Sequence, residues 1–258
     1  MIKFFRQIRY KLMGEQNTAR YLKYAIGEII LVVIGILIAL SINNWNEKLK
    51  ENKKEAYFID ELQKEFINDS LTLQRLIFLS NIKAEEGKIV KEFLLGQPVS
   101  KDSIISMVFF NGRFLEFESF TPTYDEIIAT GQQSIIKNDS LKTLIKAFKD
   151  QGSFYKRFLY DECMTIKQQY NLHAYKYFER SILPELWENA TKENPVVDID
   201  ALGDYMIDVE GYKKDSKSLY YVTMNTGVDM DLNRFYKTVV MPDLELILKK
   251  IRDIKSKT

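Results

Sequence analysis

Residues 25–42, AIGEIILVVIGILIALSI, form an almost unbroken apolar run near the start of the chain. A helix of this length covers the ~30 Å hydrocarbon core of a bilayer at ~1.5 Å per residue. Tyr21 and Tyr24 flank one end and Trp45 the other, where aromatic rings favour the headgroup layer. Core helices of soluble proteins seldom run this long without a polar stripe. A cleaved signal sequence is the competing reading. Its apolar region is shorter and is followed by a small-x-small site, and Ser41-Ile42-Asn43-Asn44-Trp45 is a poor one. The expectation is an uncleaved transmembrane helix over 24–45.

Flanking charge orients it. Lys3, Arg6, Arg9, Lys11, Arg20 and Lys23 precede the run, opposed by Glu15, whereas mixed charges follow it from Glu47 to Glu55. Lysine and arginine near a span stay on the cytoplasmic side. Residues 1–23 are therefore expected inside, and 46–258 outside, as an extracytoplasmic domain. Phe4, Phe5, Ile8 and Leu12 share one helical face ringed by Lys3, Arg6, Arg9 and Lys11. That is the pattern of an amphipathic helix lying on anionic membrane lipid.

The interior of the run carries a candidate interaction face. Gly35 and Ala39 are a small-xxx-small pair, Gly27 lies on the same stripe, and Glu28 is two turns from Gly35. Small residues let helices approach closely, and an ionisable residue is costly in lipid. Self-association or docking on another inner-membrane protein is the expected use. A carboxylate only one turn inside the boundary also reaches the headgroup layer, which is the bland explanation of Glu28.

Outside the anchor the composition is that of a globular domain. The net charge is +1, with both signs interspersed, which argues against nucleic acid as a partner. The single cysteine, Cys163, excludes an intrachain disulfide and a Cys-rich metal site, and reads as packed and inert.

Periodicity reads as helix nearly throughout. Ile59, Leu62, Phe66, Leu73 and Leu76 recur at helical steps, with Asp69 where an apolar residue belongs. This helix continues from the anchor to about Leu95, stopped by Gly96-Gln97-Pro98. Over 99–135 a short helix capped by Asp102 and ending at Gly112 competes with a hairpin turning on Asn111-Gly112. Thr123 and Glu126 fit a capping box, with Gly131 closing the helix it opens. Asn138 or Asp139 caps a long stretch to Ile182, which Pro184 ends. Residues 190–216 read as loop. A last helix covers 217–255, kinked at Pro242. The expected fold is all-α: an N-terminal amphipathic helix and one transmembrane helix, followed by an antiparallel helical bundle.

Chemistry is sparse. His173 is the single histidine, so a Ser-His-Asp or Cys-His site would have to use it. Asp198, Asp200, Asp204 and Asp208 lack the glycine-bearing calcium pattern. Tyr155, Phe158, Tyr160, Tyr170, Tyr175, Tyr177 and Phe178 gather on the long helix, either as core or as the lining of a ligand pocket. No catalytic residue, metal or cofactor is expected. The leading expectation is a non-enzymatic interaction or scaffold protein. The alternative is a small-ligand sensor signalling through a separate membrane partner.

The strings Tyr24-Ala25-Ile26-Gly27-Glu28-Ile29, Leu31 to Leu40, and Ile42-Asn43-Asn44-Trp45-Asn46-Glu47 resemble the signature of an uncharacterised family. Its members are membrane-anchored proteins of Bacteroidota-type bacteria. The basic start MIKFFRQIRYKL and Thr123-Tyr124-Asp125-Glu126 with Gly131 and Ile135-Ile136-Lys137-Asn138 are also similar. The resemblance implies a single span, a helical body and a periplasmic location for it. It supplies no activity or catalytic residue. In that setting Asp69-Ser70-Leu71, Asp102-Ser103-Ile104 and Asp139-Ser140-Leu141 resemble short acceptor sites for O-linked glycans, although Asp and Ser before a helix are also ordinary caps.

Overall fold

The computed structural model describes residues 18–182 and 205–256. The chain divides into two units, Met1–Tyr57 and Phe58–Thr258. The basic face of Lys3, Arg6, Arg9 and Lys11 lies outside the described residues, as do Pro184, Asp198, Asp200 and Asp204 and the side chains of Tyr155, Phe158 and Tyr160.

Helix α1 spans Thr18–Leu94. No proline interrupts those residues, so every backbone N–H beyond the first turn can serve the ladder. It stops where the sequence suggests. Gly96 takes φ +110°, its N–H bonds Phe93 O, and Gln97 N–H bonds Glu92 O at 3.0 Å. This Schellman arrangement satisfies the last carbonyls. In the first unit the apolar side chains of α1 are exposed, and the most apolar window has a mean hydropathy of 2.8 with none of it buried. By length and composition α1 can cross a membrane.

The second unit is all-α. It adds α2 (Lys101–Asn111), α3 (Pro122–Ala129), α4 (Asp139–Ala174), α5 (Val209–Lys214), α6 (Ser216–Phe235) and α7 (Met241–Lys255). The side chain that caps α2 belongs to Ser100, which accepts from Ser103 N–H, and not to Asp102. Asn138 caps α4 by accepting from Leu141 N–H at 2.9 Å. Helix α4 ends at Ala174 rather than Ile182, because the chain turns there to bring Phe178 against Tyr212, with ring centroids 5.0 Å apart. Tyr212 belongs to α5, a short helix inside the stretch read as loop.

The last helix is not continuous. Pro242 has no N–H to give to the preceding turn. The chain answers with a wide π turn over Tyr236–Val240, closed by Met241 N–H on Tyr236 O.

Side-chain pairs fix the helix directions. Along α1, Asp60 meets Lys255, Ser70 meets Met241, Ile77 O meets Asn233, and Lys83 meets Asp229. Helices α6 and α7 therefore run antiparallel to α1. Phe66 packs edge-on to Phe148, and Lys83 adjoins Lys167, so α4 runs parallel to α1. A parallel pair needs a returning connection, and residues 95–138 supply it.

The core is layered. One apolar cluster gathers Phe58, Leu62, Phe66, Leu73, Leu141, Ile145, Leu232, Leu244, Ile247 and Ile251. A second gathers Val90, Phe93, Ile104, Ile105, Val108, Tyr170, Phe178, Tyr212 and Val222. Between them along α1, α4 and α6 lie buried Lys83, Lys167, Asn225 and Asp229.

Candidate functional site

The polar layer exists to hold a stretch of chain that has no secondary structure. Past a turn at Gly112 and a bend at Arg113, the backbone from Phe114 to Thr121 forms neither helix nor strand. The helix ends at Gly112, as the short-helix reading of this stretch has it, and the hairpin weighed against it does not form. Buried backbone groups without a ladder need other partners, and side chains supply them. Lys167 Nζ donates to Asn111 O at 2.9 Å and Asn225 Nδ2 to the same oxygen at 3.2 Å. Asn171 Nδ2 donates to Gly112 O at 2.9 Å, and Lys83 Nζ donates to Arg113 O. The Tyr236 hydroxyl donates to Leu115 O and accepts from Phe117 N–H. Asp69 accepts from Ser119 Oγ at 2.5 Å and from Phe120 N–H at 3.0 Å. Glu65 accepts from both Thr123 N–H and Thr123 Oγ1.

The last contact replaces the capping box expected of Thr123 and Glu126. Thr121, at the N-cap of α3, makes no side-chain cap bond, and the carboxylate of Glu65 on α1 serves that end instead. Asp69, out of phase with the apolar stripe, is explained by the same device. From Arg113 to Thr123 the partners step back along α1 from Lys83 to Glu65. Ten extended residues advance about 33 Å, and eighteen helical residues about 27 Å. An extended return thus covers the height of the bundle in few residues, and lets α4 start again at the lower end.

The centre of the layer is electrostatic. Lys167 Nζ sits 2.8 and 2.7 Å from the two oxygens of Asp229, and Lys83 Nζ is 3.3 Å from the same carboxylate. The side chains of Lys83, Lys167 and Asp229 are 0, 2 and 1 % exposed. Burial, then the neighbouring Lys167, pushes the Lys83 amine down to about 7 against the pull of Asp229. Burial lowers Lys167 too, opposed by Asp229. Glu86, one turn beyond Lys83, is pushed up to about 7 by burial. Within this layer, Glu86 Oε2, Asn111 Oδ1 and Asn225 Oδ1 are buried without a hydrogen-bond partner among the described residues.

His173 is also buried. Its Nε2 lies 2.8 Å from Ser218 Oγ and 4.0 Å from Asp215 Oδ2, while Nδ1 has no hydrogen-bond partner among the described residues. In a Ser-His-Asp relay the acid holds the nitrogen opposite the hydroxyl. Here acid and hydroxyl address the same nitrogen. Asp215 instead caps α6 and accepts from Tyr177 OH at 2.6 Å. Tyr170, Tyr177 and Phe178 pack within this upper apolar region.

In the apolar part of α1, Gly27, Gly35 and Ala39 are exposed, Glu28 is half-buried, and a Cβ built on either glycine would meet nothing within 4 Å. The stripe is open. Of the three Asp-Ser positions, Ser70 is half-buried against Met241 Sδ, Ser103 accepts from Ser100 Oγ, and Ser140 is exposed.

The family comparison matches residues 28–182 to a family of unknown function, DUF6090. The chain belongs to DUF6090. The DUF6090 match takes in α1 from Glu28 onward, the segment after α2 and α4, and stops before α5, α6 and α7. Asn225, Asp229 and Tyr236, which complete the grip on the segment, lie beyond it. No curated protein and no solved structure matches the chain.

Lys83, Lys167 and Asp229 are absent from the residues singled out by sequence. The signal that could have found them is phase. Lys83 continues the core-facing series Leu73, Ser80, Gly87 and Val90 of α1, and Lys167 falls between Cys163 and Tyr170 of α4. A charge in a core phase is the mark that Asp69 also carries.

Proposed function

We propose that this DUF6090 protein is a non-enzymatic, single-pass interaction protein of a bacterial inner membrane, its N-terminus cytoplasmic and its helical body periplasmic. The open small-residue face of the anchor carries this reading. Gly27, Gly35 and Ala39 leave room for a second helix to approach closely, and Glu28 adds a polar group on that side. The body agrees with it. Lys83, Lys167, Asn171 and Tyr236 bond the body's own backbone, and His173 lacks relay geometry. Three apolar side chains of α1, Ile67, Leu71 and Phe78, stand 43, 59 and 65 % exposed.

The test is crosslinking through Gly35→Cys in native membranes. A crosslinked dimer, or an adduct with another membrane protein, supports the proposal, and trapping neither overturns it. A topology reporter fused after Thr258 should read periplasmic.

A second reading, a sensor that signals through a separate membrane partner, is favoured by one observation. In the polar layer, Asn111 Oδ1 and Asn225 Oδ1 are buried without a hydrogen-bond partner among the described residues.

A further inference from the structure

The fully ionised polar layer would hold four charges in or beside an apolar core: Lys83, Lys167, Asp229 and Glu86. Buried charges are costly unless paired and hydrogen-bonded. Lys167 is well served, with both oxygens of Asp229 and Asn111 O. Lys83 shares the same carboxylate at longer range and holds Arg113 O. Glu86 ends in a buried oxygen without a hydrogen-bond partner among the described residues. Two of the four charges are therefore poorly compensated, and they sit one turn apart on α1. Each can be removed by one proton: Glu86 by gaining it, Lys83 by losing it. The other titratable groups felt by this layer are Cys163 and Tyr170 on α4, and Tyr212 on α5 bonds Tyr170.

We propose that Lys83 and Glu86 form a proton-binding site that governs how readily the extended segment 113–121 leaves the bundle. Opening the segment lets water reach both side chains. It then favours the charged forms that the closed bundle disfavours. For Glu86, held up at about 7, the closed state binds the extra proton, so its contribution is fully present below the ordinary carboxylate value and is lost as pH climbs to about 7. For Lys83, held down at about 7, the contribution is lost as pH falls from the ordinary amine value to about 7. The two slopes meet. The segment opens most readily near neutrality and is locked by mild acid and by mild base. The sensing alternative thereby acquires a definite ligand, the proton.

The experiment is hydrogen exchange by mass spectrometry on the full-length protein in detergent, at about pH 6, 7 and 8, with times scaled for intrinsic exchange. Peptides covering 113–121 should open most at pH 7. Moving one pH unit either way should slow opening several-fold, up to roughly tenfold for a single linked proton. Glu86→Gln should erase the acid branch and keep the basic one, and Lys83→Met the reverse. A flat profile in the wild type overturns the proposal, as does a Glu86→Gln variant that keeps both branches. A second measurement needs no variant: carbon-detected titration of lysine Cε and glutamate Cδ. It should reveal one lysine and one glutamate with midpoints near neutrality, and every lysine titrating at its ordinary value would equally overturn it.

Discussion

The Tyr236 hydroxyl bonds the backbone twice, donating to Leu115 O at 2.9 Å and accepting from Phe117 N–H at 3.1 Å. One side chain thus substitutes for a neighbouring strand. Tyr236→Phe removes that oxygen and leaves a half-buried carbonyl and a half-buried N–H without this partner. Destabilisation of about 2–4 kcal/mol follows from the usual cost of such groups. Urea unfolding measures it. A loss below about 0.5 kcal/mol would mean that water reaches both groups.

Asp229 is the shared anion of two buried amines. Asp229→Asn leaves both without a counter-charge and should cost about 3–5 kcal/mol. Adding Lys83→Met to that variant should recover part of the loss, since one stranded amine disappears. Strictly additive losses in the double-mutant cycle would contradict the coupling.

At Gly87 and Thr226, α1 and α6 approach closely. A Cβ on Gly87 would fall inside the contact distance of Thr226 Oγ1. Gly87→Ala, which would gain helix propensity on an open surface, should here destabilise by about 1–3 kcal/mol. Thr226→Ala in the same chain should relieve most of it. An alanine variant with a raised melting temperature would show that the helices do not meet this closely.

The Cys163 thiol is buried. Burial first, and then the neighbouring Glu162, push it up to about 11. The thiolate is the nucleophile, so alkylation of the folded protein at about pH 8 should be slow. It should accelerate as pH rises toward that value and be complete in denaturant. Rapid labelling of native protein at neutral pH would refute the placement.

A chain ending at Ile182, the limit of the family match, loses Asn225, Asp229, Asn233 and Tyr236 together with Leu232, Leu244, Ile247 and Ile251 from the core. It should lack a cooperative unfolding transition by circular dichroism. Cooperative melting of this fragment would show that α1–α4 fold by themselves.

The helices were legible because periodicity and terminators are local. Gly96 and Gly131 both take positive φ where the sequence places a stop, and Asn138 caps as its side chain suggests. The path from Asn111 to Thr121 was not legible. Its conformation is held by groups far away in sequence, and Glu65 takes the role that local pattern assigns to Glu126. The wide turn at Tyr236–Val240 precedes Pro242, and it accommodates the missing N–H of that proline. Asp69 stood out as an anomaly, and only the tertiary structure gave it a partner.

The extended segment also sets the order in which the body can assemble. Tyr236 and Leu115 are 121 residues apart, and Asn225 and Asn111 are 114 apart. Contacts of such sequence separation form late and slowly. During synthesis the anchor and α1 emerge well before α6. Until α6 arrives, Lys83 and Lys167 lack their anion and the carbonyls of the segment are only partly covered. Folding of the second unit therefore waits for its C-terminal helices. An incomplete chain would expose its apolar layers, where a holding chaperone would find its target.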